Sequence, residues 1–128
     1  MNFSAASVFA VALGGSFGAV TRFYVNYIVN KNFPTDVPLA TLGVNVVGSF
    51  LIGLLVAFFI QYTPNEQIKL FLITGFLGAL TTYSTFAIES YLLFNNSIIL
   101  GLTNVILNLL GSIFAAALGY KMMLYFLR

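Results

Sequence analysis

The chain has 128 residues, 60% of them apolar and only 6% charged, with a formal net charge of +2 and a mean hydropathy of +1.01. A soluble fold of this length buries only part of its surface, so this much apolar side chain implies contact with lipid. Cysteine and histidine are both absent, which excludes disulfides, thiolate metal sites and imidazole proton shuttles, and no basic cluster points to nucleic acid. At about 20 residues per crossing, the length holds about four transmembrane helices and no separate soluble domain. The expected architecture is one all-α transmembrane domain over residues 1–128, spanning at about 3–29, 39–62, 68–94 and 98–126.

The first predicted span carries Gly14-Gly15-Ser16-Phe17-Gly18, a run of small residues that lets helices approach closely. Arg22 falls inside it, with Tyr24 and Tyr27 near its end as interfacial anchors. Met1-Asn2-Phe3-Ser4 lacks the basic region of a cleavable signal, so this span is expected to be retained. Asn30, Lys31, Asn32, Pro34, Asp36 and Pro38 then form a polar, proline-marked loop.

In the second span Thr41, Asn45 and Ser49 recur every four residues and share one helix face. Thr63-Pro64-Asn65-Glu66 follows, with Thr63 or Asn65 as the candidate N-cap of the next helix. The third span contains Gly75-Phe76-Leu77-Gly78-Ala79-Leu80-Thr81-Thr82-Tyr83-Ser84-Thr85-Phe86, and then Glu89. Hydroxyl side chains compete for backbone hydrogen bonds and glycine relaxes the backbone, so this helix is expected to break near the membrane midplane. Non-helical backbone at that depth must be buried in protein or line a wet cavity. After the turn Asn95-Asn96-Ser97, the fourth span shows Asn104, Asn108 and Ser112 four residues apart, with Gly111, Ala115 and Gly119 on a neighbouring face.

Four spans place both termini on one side of the membrane. Lys69, Lys121 and Arg128 fall on that side, and Arg22 and Lys31 on the other. Lysine and arginine bias sets orientation, and this near-balance predicts insertion both ways up, with two copies pairing as an antiparallel homodimer.

An isolated Ser, Thr or Asn in a span is ordinarily helix–helix glue, worth about 0.6 kcal/mol. Two four-residue polar stripes and a hydroxyl-rich break exceed that need and point to a lined pathway for water or an ion. Acidic rings that favour cations are missing, whereas amides, hydroxyls and the N–H groups of a broken helix favour anions. Tyr83 and Phe86, three apart, could present electropositive ring edges to a small anion. Arg22 reads either as an anchor or as an electrostatic funnel. No nucleophile–base pair or metal cluster supports an enzyme.

The third-span motif, with Gly18-Ala19-Val20-Thr21-Arg22-Phe23, Thr41-Leu42-Gly43-Val44-Asn45, Gly48-Ser49-Phe50 and the Asn104/Asn108/Ser112 stripe, resembles the CrcB/Fluc fluoride channel family across all four spans. The resemblance implies an antiparallel, dual-topology homodimer in the cell membrane with two pores, passing fluoride passively and relieving cytoplasmic fluoride toxicity. It assigns Asn45, Tyr83, Ser84, Phe86, Asn108 and Ser112 to the pore and Arg22 to a vestibule. Thr41, Thr82, Thr85, Glu89 and Asn104 are accessory candidates. It also implies a structural sodium ion between the two copies, held by backbone carbonyls of Gly78 and Thr81. Two positions depart from the family pattern: Tyr83 stands where Phe is usual, and Asn108 where Ser is common. The rival reading is a small four-span, proton-coupled multidrug antiporter, for which Glu89 would be the membrane carboxylate.

Overall fold

The computed structural model describes residues 3–128; Met1 and Asn2, on which the signal-peptide expectation partly rests, lie outside the described residues. Among the described residues, four helical spans are long and apolar enough to cross a membrane: Ala5–Asn32, Leu39–Gln61, Glu66–Asn96 and Ile98–Phe126. The shortest has 23 residues, a reach of about 35 Å at 1.5 Å per residue, against a hydrocarbon core of about 30 Å. The first two spans are continuous helices, α1 (Ala5–Asn32) and α2 (Leu39–Gln61), and the last is α6 (Ile98–Phe126). The third is composite. It opens as α3 (Glu66–Lys69), widens into a π-helical segment (Leu70–Leu77), tightens into α4 (Gly78–Leu80), breaks at Thr81 and Thr82, and resumes as α5 (Tyr83–Asn96).

Side-chain caps fix several helix starts. Ser4 accepts from the Ser7 N–H, Asn65 from the Gln67 N–H and Ser97 from the Leu100 N–H, satisfying donors that a helix N-terminus leaves free. Of the two expected caps before the third span, Asn65 is the one used.

Two pairs of helices approach closely, and glycine permits both. A Cβ on Gly14 would strike the Phe71 carbonyl oxygen, and one on Gly18 the Phe76 carbonyl oxygen. Phe71 and Phe76 are five residues apart, one turn of i→i+5 winding, while Gly14 and Gly18 are four apart, one turn of α-helix. The π segment therefore matches its partner's spacing turn for turn. The second pair is reciprocal: a Cβ on Gly53 would meet the Ala116 carbonyl oxygen, and one on Gly119 the Phe50 carbonyl oxygen. α2 and α6 pack together along an extensive interface. Such contacts suit a bilayer, where apolar side chains gain nothing by leaving lipid and backbone approach supplies the packing.

Between the pairs lies a small core of Val44, Leu77 and Leu80, with Val25, Leu51, Ile52, Leu55 and Phe76 packed against it. Most large apolar side chains instead face outward, among them Phe9, Phe17 and Phe23 on α1 and Ile106, Leu110, Ile113 and Phe114 on α6. That outer surface is what lipid would cover.

Candidate functional site

The break lies midway along the third span, and hydroxyl residues rather than glycines make it. Thr81 and Thr82 are extended, at φ −79°, ψ 156° and φ −148°, ψ 112°. Gly75 and Gly78 remain helical, and no described residue has a positive φ. Gly75 is instead required for space, since a Cβ there would crowd the Val11 carbonyl and the Gly14 Cα. Thr82 caps α5 by accepting from the Thr85 N–H at 3.3 Å and donates its hydroxyl proton to Thr85 Oγ1 at 2.8 Å. The hydroxyl cluster thus carries a helix-start signal in mid-membrane. On the other side, Gly48 of α2 leaves room for the Thr81 methyl group.

The interrupted backbone is satisfied from α2. In a continuous helix the Thr82 N–H would go to the Gly78 carbonyl; here it donates to Asn45 Oδ1 at 2.8 Å. Asn45 Nδ2 returns to the Thr82 carbonyl at 3.1 Å and also donates to Asn108 Oδ1 at 3.0 Å. An extended residue presents its N–H and C=O on the same side, so one carboxamide bridges both.

From Asn45 a one-way chain of hydrogen bonds follows. Asn108 Nδ2 donates to the Oδ1 and backbone carbonyl of Asn104, at 3.0 and 3.1 Å. Asn104 Nδ2 donates to Ser90 Oγ at 2.9 Å, and the Ser90 hydroxyl donates to the Phe86 carbonyl at 2.7 Å. Because the Thr82 N–H can only donate, it fixes the orientation of Asn45, which fixes Asn108, which fixes Asn104. Asn104 is completely buried and Asn108 nearly so, where an unmet polar group is expensive.

A cavity of about 310 Å³ opens against the break, lined by residues that include Asn45, Ser49, Tyr83, Phe86, Asn108 and Ser112. Tyr83 and Phe86 meet edge to face, with ring centroids 5.6 Å apart and planes at 62°. Phe86 is buried, whereas Tyr83 is 75% exposed. Thr81, Thr82 and Gly78 also line the cavity.

The remaining candidates lie elsewhere. Ser84 is exposed and not on the cavity wall, and half-buried Arg22 is not on it either. Glu89 does not line it; its Oε1 accepts from the Thr41 hydroxyl at 2.9 Å, while Oε2 is buried without a partner among the described residues. Thr85 serves the cap, and Asn104 sits behind the wall as the second link of the chain. Ser90 stands outside the two polar stripes and the hydroxyl-rich break, and its one signal in the sequence is that it lies four residues after Phe86, the spacing at which a helical serine turns back to a carbonyl.

A family model described as "CrcB-like protein, Camphor Resistance (CrcB)" matches residues 9–120. The chain belongs to the CrcB family. Among CrcB relatives, a protein of Sulfurimonas denitrificans named "Fluoride-specific ion channel FluC" is 52% identical over 116 residues, covering 89% of this chain and 90% of its own length. Proteins of the same name from Nautilia profundicola and a Nitratiruptor species are 42% and 44% identical, covering 90% and 96% of this chain and 91% and 97% of their own lengths. The CrcB match takes in every residue of the hydrogen-bond chain and of the cavity wall. With its four apolar helical spans, this CrcB-family chain is a multi-pass membrane protein.

Proposed function

We propose that this chain is a fluoride-selective ion channel, not an enzyme, and that it lets cytoplasmic fluoride leave the cell passively across the cell membrane. The observation that carries the reading is the cavity at the helix break. Asn45, Tyr83, Phe86, Asn108 and Ser112 line one space beside backbone that is not helical. Its wall combines hydroxyls and aromatic edges with no carboxylate, the chemistry that suits a small anion and disfavours a cation. The names of its relatives support the same ion.

The working unit is an antiparallel homodimer with two pores. Tyr83 is largely exposed in the single subunit although it borders the cavity, so a second copy would complete the wall, and Ser84 and Arg22 would contribute once it is present. The resemblance implies a sodium ion between the copies, and the residues here suit it. Diversion of the Thr82 N–H to Asn45 removes the helical donor that the Gly78 carbonyl would otherwise receive. Backbone carbonyls released at a helix end are hard oxygen donors of the kind that bind such a cation.

The test is efflux from liposomes. Vesicles loaded with fluoride should empty when an ionophore shunts the charge, and vesicles loaded with chloride should not. Equal efflux of both ions would remove the selectivity, and no fluoride efflux at all would remove the channel. The proton-coupled antiporter finds no comparable support, because Glu89 is bonded to Thr41 and absent from the cavity wall.

A further inference from the structure

We propose that Ser49 of α2, together with Ser112 of α6, forms a pair of hydroxyl donors that takes the transported anion one turn beyond the Asn45–Asn108 bridge. The proposal rests on the channel reading above and adds to it a residue on which that reading does not depend.

The two amides nearest the cavity have little left to give. Asn45 Nδ2 donates one hydrogen to the Thr82 carbonyl and the other to Asn108 Oδ1. Asn108 Nδ2 directs its donors to the carbonyl and Oδ1 of Asn104. Both amides are thereby committed to holding the break together, and an anion entering the cavity must find its donors elsewhere.

Of the aliphatic hydroxyls on the cavity wall, those of Ser49 and Ser112 are in position to supply them. Ser16, Thr21, Thr81 and Ser90 turn back and donate to the carbonyl four residues earlier, the ordinary behaviour of a hydroxyl inside a helix. Ser49 and Ser112 do not: among the described residues neither hydroxyl has a hydrogen-bond partner, and both line the cavity. They also share a level. Asn45 meets Asn108 across an offset of 63 residues, and Gly53 packs against Ala116 at the same offset. Ser49 and Ser112 fall between these two contacts at that offset, so the parallel helices α2 and α6 carry them side by side. Half-buried hydroxyls without protein partners, facing a cavity with no carboxylate, are free to rotate their protons toward an anion.

The experiment compares Ser49→Ala, Ser49→Thr and Phe86→Ile with the unaltered chain in liposomes. Ser49→Ala removes a hydroxyl that bonds to none of the described residues, so its thermal unfolding and gel-filtration profile in detergent should match the unaltered chain. Its fluoride efflux should fall about ten-fold, the scale of one hydrogen bond to a charged group, and half-saturation should move to higher fluoride concentration. Ser49→Thr, which keeps the hydroxyl, should stay within about three-fold of normal. Normal efflux from Ser49→Ala, with Phe86→Ile inactive, would overturn the serine pair and leave the channel standing. Reduced efflux from Ser49→Ala accompanied by lower stability would also overturn it, since the hydroxyl would then be structural. If the unaltered chain passes no fluoride, the channel reading itself falls.

Discussion

Asn45 and Thr82 are joined through both hydrogen-bonding groups of one peptide residue: the Thr82 N–H reaches Asn45 Oδ1 at 2.8 Å and its carbonyl takes a hydrogen from Asn45 Nδ2 at 3.1 Å. Backbone left unwound inside a membrane must find its partners in protein or in a lined cavity, and this side chain supplies both of them. Replacing Asn45 by Leu should leave the Thr82 N–H and carbonyl and Asn108 Oδ1 unmet, a loss of about 3 kcal/mol. Asn45→Asp keeps the acceptor but sets a second carboxylate oxygen against the Thr82 carbonyl and Asn108 Oδ1, both acceptors, so it should be no more stable than Asn45→Leu. Chemical unfolding in detergent, followed by circular dichroism, gives the order directly.

The ring pair can be separated from simple packing. Phe86 is buried and meets Tyr83 edge to face, and isoleucine fills much of the same space without a polarised ring edge. Phe86→Ile should lower fluoride efflux by more than about ten-fold while the protein still elutes as the same oligomer. Unchanged efflux would mean that the ring only fills volume.

Gly53 and Gly119 form a reciprocal crossing, each occupying the space beside a carbonyl of the other helix. Alanine at either position pushes a methyl group into backbone that cannot rotate away, and each substitution should cost about 2 kcal/mol. The double variant should cost clearly less than the sum, because the first methyl already forces α2 and α6 apart. Additive losses would show that the two contacts act independently.

Orientation is testable because the chain has no cysteine of its own. Single cysteines introduced as Phe3→Cys or Leu127→Cys should each be labelled to about half by an impermeant maleimide added to one side of the membrane, given the near-balance of three cations against two. Complete labelling at one terminus, or none, would exclude insertion both ways up.

Four spans could be read from the sequence because apolar runs of membrane length are punctuated by prolines and polar turns, signals that act locally. The break could be read for a related reason: five consecutive hydroxyl residues cannot all be accommodated quietly in an apolar helix. Its cause was harder to see. Glycine in the motif predicts a loosened helix, but Gly75 and Gly78 stay wound and Thr82 supplies a cap. The polar stripes share faces, as the four-residue spacing requires, yet their members divide the work. Thr41 turns to Glu89, Asn45 to the break and Ser49 to the cavity. Partners such as these, tens of residues away in sequence, leave no local trace. Nor does the π winding of Leu70–Leu77, whose residues are nearly all apolar and so show no period.

That winding has a geometric consequence beyond its fit to α1. Each i→i+5 ring holds one residue more than an α-turn, so the segment works as a phase adjuster, setting the azimuth at which everything downstream emerges. Winding the same residues as an ordinary α-helix would swing Thr82 off the side of the bundle that faces Asn45, although no atom of either residue had been altered.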